Sequence, residues 1–179
     1  MNFQVLVTYA TKYGSTAEIA EKIGLVLRQA GLHADVLPTD RVSNLSSYKA
    51  VILGSAVYMG GWRKETVKFL KANEKVLAAQ MVWLFSSGPT GKGDPVELTK
   101  GWRLPKGLQP IADHIRPRDI AVFHGAINIE NLNFIEKWMI NNVKAPIGDF
   151  RDWDAITSWA TTIADVLKET VLASGTQSE

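Results

Sequence analysis

The residues able to do chemistry gather first at Thr11-Lys12-Tyr13-Gly14-Ser15-Thr16. Hydroxyl side chains flank a glycine, and a helical pattern carrying Ala17, Ile19, Ala20, Ile23, Val26 and Leu27 begins directly after them. The first backbone N–H groups of a helix lack an intrahelical partner and lie at the positive end of its dipole, so this turn can cradle a phosphate. Gly14 lets the backbone bend close to the ligand, and Thr11, Ser15 and Thr16 can add hydroxyl donors. Either Ser15 or Thr16 can cap the helix, with Glu18 in its first turn. An N-cap and a plain turn are the competing reading of the same six residues.

The elements around the turn decide between these readings. Before it, Phe3, Val5, Leu6, Val7 and Tyr9 form a short apolar run typical of a strand buried on both faces. Gly31 ends the first helix, and His33 to Leu37 reads as a second strand closed by Pro38. Asp40 to Tyr48 is a polar connection. Ala50 to Ala56 is a third strand, Arg63 to Asn73 a helix with Val67, Phe69 and Leu70 facing in, Gln80 to Ser86 a fourth strand and Ile120 to His124 a fifth. A last helix runs from about Asp152 to Leu172, with Ile156, Trp159, Ile163, Val166 and Leu167 at helical spacing. Alternating strands and helices build an α/β, three-layer, doubly wound parallel sheet of five strands in the order 2-1-3-4-5. Ligands of such sheets lie outside the carboxyl ends of the strands, where the first turn falls.

T-x-Y-G-x-T after the first strand resembles the phosphate loop T-x-T-G-x-T of the flavodoxins, which bind flavin mononucleotide, FMN. Thr11, Gly14 and Thr16 match, and Tyr13 stands where the family has a small hydroxyl residue. The resemblance makes two later loops candidate walls of a flavin site. Ala56-Val57-Tyr58-Met59-Gly60-Gly61-Trp62 offers two aromatics to cover a flat ring and two glycine peptides that can approach flavin N5. In flavodoxins a peptide flip here stabilises the half-reduced flavin, which the resemblance places at Gly60 or Gly61. Packing of Tyr58 and Trp62 on the next helix is the alternative. Ser87-Gly88-Pro89-Thr90-Gly91, continuing to Asp94, offers backbone donors for the pyrimidine edge. It holds no aromatic, so the ring is covered there by something else or left open to a substrate, and an open face favours an enzyme over a carrier.

Two other readings of these motifs fail. Gly88 to Lys92 lacks the spacing of a nucleotide P-loop, and Gly93 stands where that loop needs a hydroxyl. A phosphoacceptor domain of this fold needs acidic residues at the end of strand one, where Thr8, Tyr9 and Ala10 stand.

Two pieces exceed a minimal doubly wound domain. Pro95 to Arg118 carries a short helix around Leu108 to His114. Gly125 to Phe150 is a helical insertion after strand five. Within it, 131–143 places Leu132, Ile135, Met139 and Val143 on one stripe, beside Phe134 and Trp138, with Lys137 and Lys144 nearby. Packing on its own sheet edge is the ordinary expectation; peripheral contact with a membrane or a homodimer are the others. His124 to Leu167, with the Gly125-Ala126 pair and the Asp149 to Trp153 segment, looks like the menaquinone-dependent protoporphyrinogen oxidases, a flavodoxin-fold branch, and Leu53 to Trp62 adds to the likeness. That resemblance implies an FMN oxidoreductase taking electrons from a reduced tetrapyrrole and passing them to a quinone. No general base is evident on the rim, so the flavin would carry the chemistry. Lys12 and Arg63 are candidates to meet anionic groups. His33, His114 and His124 read as structural.

Composition bounds these readings. The 179 residues, 46% hydrophobic and 21% charged, suit one domain over 1–173 with a polar tail from Ser174 to Glu179. The absence of cysteine excludes disulfides, thiolate metal sites and cysteine nucleophiles, leaving redox chemistry to a bound cofactor. A net charge of +2 and a pI near 8.8 are too weak for nucleic-acid binding and lack the acidic bias of an electron shuttle. No apolar run reaches the ~20 residues of a membrane span. A cytoplasmic protein, at most lying against a membrane, is expected. A soluble one-electron carrier and a binding module that has lost its cofactor are the remaining alternatives.

Overall fold

Strands form where the apolar runs are short and β-branched, and helices where apolar residues recur at 3.6-residue spacing. The computed structural model describes residues 3–175. The chain runs β1 (Gln4–Ala10), α1 (Ser15–Gln29), β2 (His33–Pro38), β3 (Ala50–Tyr58), β4 (Gly61–Trp62), α2 (Lys64–Ala72), α3 (Glu74–Leu77) and β5 (Met81–Ser87). It continues through α4 (Pro95–Leu98), α5 (Gln109–Ile115), β6 (Asp119–Phe123), β7 (Ala126–Ile127), α6 (Phe134–Val143), β8 (Gly148–Asp149) and α7 (Trp153–Gly175).

Five parallel strands stand in the order β2-β1-β3-β5-β6, the expected doubly wound arrangement. Val5 pairs with both Ala34 and Ala50, and Gly54 with Phe85, so the carboxyl ends of the central strands come level at one rim. A sixth strand was not foreseen. Gly61–Trp62 turns back antiparallel on the end of β3, Val57 opposite Trp62 and Tyr58 opposite Gly61. This pairing carries β3 two residues beyond the expected Ala56.

Alternation along the strands divides the core into two layers. Val5, Val7, Ile52 and Phe85 face α1 and α7 with Ile19, Ile23, Ile156 and Ile163. Leu6, Val51, Leu53 and Leu84 face the helices α2, α3 and α5 with Leu70, Leu77 and Ile115. Burying each such leucine or isoleucine is worth about 1.5–3 kcal/mol, which holds the sheet flat against both helical layers. The connection expected to be polar also contributes, since Leu45 and Tyr48 are buried and the Tyr48 hydroxyl donates to Asp35 at 2.8 Å.

The insertion between β6 and α7 is a separate ribbon and helix. β7 and β8 pair antiparallel, Ala126 with Asp149, and α6 lies between them in sequence. Arg151 closes the insertion with its guanidinium on Asp149 at 2.6 Å and Glu18 at 2.7 Å. It thereby ties the entry of α7 to the start of α1. Asp149 is held below the usual carboxylate range by that hydrogen bond from Arg151. The last helix extends to Gly175, past the Ser174 where a tail was expected, and 176–179 lie outside the described residues.

Candidate functional site

The rim formed by the ends of β1, β3, β5 and β6 carries a cavity of about 250 Å³. Lys12, Tyr13 and Ser15 of the first turn line it, with Ala56, Val57, Tyr58 and Met59 from the end of β3, and Ser87 and Gly88 from the end of β5. Three separate expectations thus converge on one place. The remaining expected residues, Thr11, Gly14, Thr16, Gly60, Gly61, Trp62, Pro89, Thr90 and Gly91, belong to the same three stretches of chain without lining this cavity.

In the first turn, Gly14 has φ of +93° and occupies the N-cap position, with no side chain capping the helix. This corrects the expected hydroxyl cap: Ser15 and Thr16 are already inside the first turn. Thr11 acts on the turn itself, its Oγ1 accepting the Gly14 N–H at 3.0 Å. The first helical bond runs from Glu18 N–H to Gly14 O at 3.1 Å. The amides of Ser15, Thr16 and Ala17 therefore have no acceptor within the helix. Thr16 is fully buried beside them, and its hydroxyl has no partner. A buried hydroxyl left unpaired costs on the order of 1–3 kcal/mol, and an anion on the free amides would offer it an acceptor.

The second stretch is a tight hairpin rather than an open loop. Met59 and Gly60 form its two-residue turn with φ of +51° and +74°, the geometry that matches the twist of paired strands. A methionine in that region carries backbone strain, and Met59 stands 78% exposed at the cavity mouth. Trp62 points away from the cavity into the core. It is buried, and its indole N–H donates to Ser86 Oγ at 2.8 Å, while the Ser86 hydroxyl donates to Arg103 O at 2.9 Å. Of the two aromatics expected to cover a ring, only Tyr58 faces the cavity.

The third stretch is pinned from behind. Gly88 donates its N–H to Phe123 O at 3.2 Å and Gly125 donates to Pro89 O at 3.0 Å, so the Gly88 amide is not free for a ligand. A Cβ on Gly125 would lie 3.0 Å from the Gly88 carbonyl oxygen, so the two loops touch backbone to backbone. His124 bridges Pro89 O and Gly93 O, the structural role expected of it. Ser87 Oγ, in the cavity wall, is buried without a partner.

The roof is α6. Leu132, just before it, and Glu136, Met139 and Ile140 on it line the cavity, together with Gly125, Ala126 and Ile127 of the ribbon. The helix therefore lies over the carboxyl-end rim and not on the sheet edge, and Ile135, placed on the inward stripe by the sequence reading, points out. The side chain of Val143, the last member of that stripe, lies outside the description.

Glu136 is the residue that sequence reasoning missed. It is buried and ion-paired with Lys12, whose ammonium lies 3.8 Å from the Tyr58 ring centroid. The Tyr58 hydroxyl is 3.5 Å from the same carboxylate oxygen. Hydrogen bonds from Lys12, then Tyr13, then the Asn133 amide hold the Glu136 carboxyl down to about 2, against the upward pull of burial. Burial pulls Lys12 down, but its bonds to Glu136, Tyr58 and Tyr13 prevail and raise it above the ordinary lysine value. The signal in the sequence was Asn133-x-x-Glu136, the reciprocal pair that opens a helix. Asn133 Oδ1 accepts from Glu136 N–H and Glu136 Oε2 from Asn133 N–H, each at 2.9 Å.

A doubly wound sheet with an anion-ready turn after its first strand and a cavity between the next two strand ends defines a flavodoxin-like α/β protein. The chain belongs to the flavodoxin domain family, whose model matches residues 6–154. It is 21% identical over 180 residues, 94% of this chain and 99% of the other, to "Protoporphyrinogen IX dehydrogenase [quinone]" of Escherichia coli K12. Among solved structures it superposes on a flavodoxin from the domain Archaea with a TM-score of 0.62 at 14% identity, covering 93% of this chain and 99% of that one. A WrbA-like flavodoxin of Agrobacterium tumefaciens gives 0.57 at 17%, covering 93% and 98%. Both share the fold. Among the described residues no helix is long and apolar enough to cross a membrane.

Proposed function

We propose that this protein binds FMN in the rim cavity and acts as an FMN-dependent oxidoreductase, with a porphyrinogen-type tetrapyrrole as electron donor and a quinone as acceptor. The observation that carries the reading is the unpartnered Thr16 hydroxyl, buried beside the free amides that open α1. A phosphate monoester there would satisfy the hydroxyl and the amides together. The FMN ring would then fall against Tyr58, Met59 and the Ser87-Gly88 wall. The bound flavin would supply the two-electron chemistry.

The chain's own groups bind, orient and exclude water. Glu136 places a carboxylate on the rim, where the sequence showed no evident general base, and a carboxyl held down to about 2 is a weak proton acceptor at neutral pH. Its role is electrostatic: it neutralises Lys12 in the cavity wall. The α6 roof separates this enzyme reading from the carrier alternative, because a carrier must present its flavin edge to a protein partner. The name of the Escherichia coli relative supports the donor and acceptor classes. Phe134, Ile135 and Trp138, exposed on the outer side of α6, support contact with a membrane, where quinones dissolve, or with a second copy.

Reconstitution with FMN tests the reading: a yellow protein with quenched flavin fluorescence is expected, and a colourless product counts against it. Turnover of protoporphyrinogen with a menaquinone analogue separates the enzyme from the carrier. Thr16→Val gives an effect of two signs. Removing an unpartnered hydroxyl should raise the stability of the FMN-free chain while weakening FMN about tenfold. Calorimetry and flavin titration read the two changes; unchanged affinity would put the phosphate elsewhere.

A further inference from the structure

The roof is fixed to the body at three places. The β7–β8 ribbon joins it at one end, with Gly148 at φ +138°. Leu132, Met139 and Ile140 rest on the cavity. Glu136 meets Lys12, which precedes it by 124 residues. On the other side nothing among the described residues covers the helix: Phe134, Ile135 and Trp138 are 85%, 65% and 63% exposed. The Glu136 carboxylate is spent twice, since Oε2 closes the first turn of α6 on Asn133 while Oε1 meets Lys12. Among the described residues lining the cavity, Lys12 and Glu136 alone carry charge, and the hydroxyls of Tyr13 and Tyr58 are the neutral wall groups that share them.

We infer that Glu136 is the positioning residue of the roof, and that its ion pair with Lys12 is a latch holding α6 over the cavity and setting how fast a ligand enters or leaves. Two features make this a latch and not a fixed strut. The desolvation cost of a buried pair offsets much of its Coulomb attraction, so the pair can open at modest cost. One partner also belongs to the turn that the phosphate reading assigns to the ligand, so cofactor and roof share a lysine. The inference rests on that reading for what passes the latch, but not for the latch itself.

The test uses the full chain. Glu136→Gln removes the charge and keeps an acceptor for the Asn133 amide; Lys12→Met removes the partner. In the FMN-free protein each should speed hydrogen exchange of the 134–143 amides about tenfold, with β1, β3 and β5 unchanged, and the double variant should add nothing further. In the FMN-loaded protein Glu136→Gln should speed flavin release, followed by fluorescence, by about the same factor. Effects that multiply in the double variant, or unchanged exchange in α6, would overturn the latch, as would faster exchange without faster flavin release. Should Lys12→Met fail to fold, wild-type protein decides instead: exchange in α6 should rise between low and 1 M salt, and a flat response would overturn the proposal. Protein whose FMN-free roof responds as expected but which never takes up FMN would keep the latch and sink the cofactor reading.

Discussion

The floor of the cavity stands on strands whose inward side chains, Val7, Leu53 and Leu84 among them, are 0% exposed, whereas the roof turns Phe134 85% into solvent. Floor residues contact neighbours on all sides and belong to two continuous apolar layers. Roof residues on α6 have one packed side, and on that side a single ion pair, Lys12 with Glu136, stands among the apolar contacts of Leu132, Met139 and Ile140. Apolar burial is spread over many residues and cannot be switched; one polar contact can. The molecule thus divides a rigid ligand platform from a cover that yields to a local event.

The largest effect that would sharpen this contrast comes from the floor. Leu84→Ala removes a fully buried side chain from the sheet face under α2 and α5 and should cost about 2–5 kcal/mol of global stability. At roughly 2–4 °C per kcal/mol for a chain of this size, calorimetry should place its melting point about 4–20 °C lower. A loss under about 1 kcal/mol would mean the floor collapses around the cavity and is softer than its burial implies.

Acid should act on the roof before it reaches the floor. The folded Glu136 carboxyl lies near 2 and the ordinary value is 4.5, so its stabilising contribution is complete above about pH 4.5 and is lost as pH falls toward 2. Protection factors of the 134–143 amides, corrected for intrinsic exchange, should be level from pH 8 to about 5 and fall below about 4.5, with the central strands protected longer. Asp149, also held below its ordinary value by Arg151, weakens the base of the insertion in the same direction. Glu136→Gln should abolish the α6 step. A drop shared equally by α6 and β3 would erase the distinction between cover and platform.

The floor was legible in the sequence and the roof was not, for a physical reason. Strand residues declare themselves locally: the runs around Val5, Ile52 and Leu84 are apolar, short and carry β-branched or aromatic residues, and right-handed crossovers then leave little choice of order. The place of the first turn, between β1 and α1, could be read because its residues are contiguous, but its cap could not: Gly14, and not Ser15 or Thr16, holds the N-cap position. Trp62 misled because an aromatic beside two glycines looks the same whether it covers a ligand or donates to Ser86, 24 residues away. Glu136 was hidden because its meaning is a contact with Lys12, across 124 residues that no periodicity spans. The stripe drawn through Leu132, Ile135 and Met139 took only apolar members. The face that points inward runs through Leu132, Glu136, Met139 and Ile140, with an acid in its middle.

The smallest expected effect bears on the outer face of the roof, and its smallness is informative. Trp138 is 63% exposed, and Trp138→Ser removes an aromatic that touches little of its own chain. An isolated surface substitution of this kind changes stability by about 0.5 kcal/mol or less. Urea unfolding of dilute protein should therefore superpose on wild type. A loss above about 1 kcal/mol that grows with protein concentration would mean that a second copy buries this face, since mass action stabilises only what associates. A change that emerges only with lipid vesicles, as lost co-sedimentation at unchanged stability in buffer, would assign the face to a membrane. In either case the aromatic side of α6 would join the Glu136 side in setting when the cover lifts, because a partner holding Phe134 and Trp138 pulls against the Lys12 latch from outside.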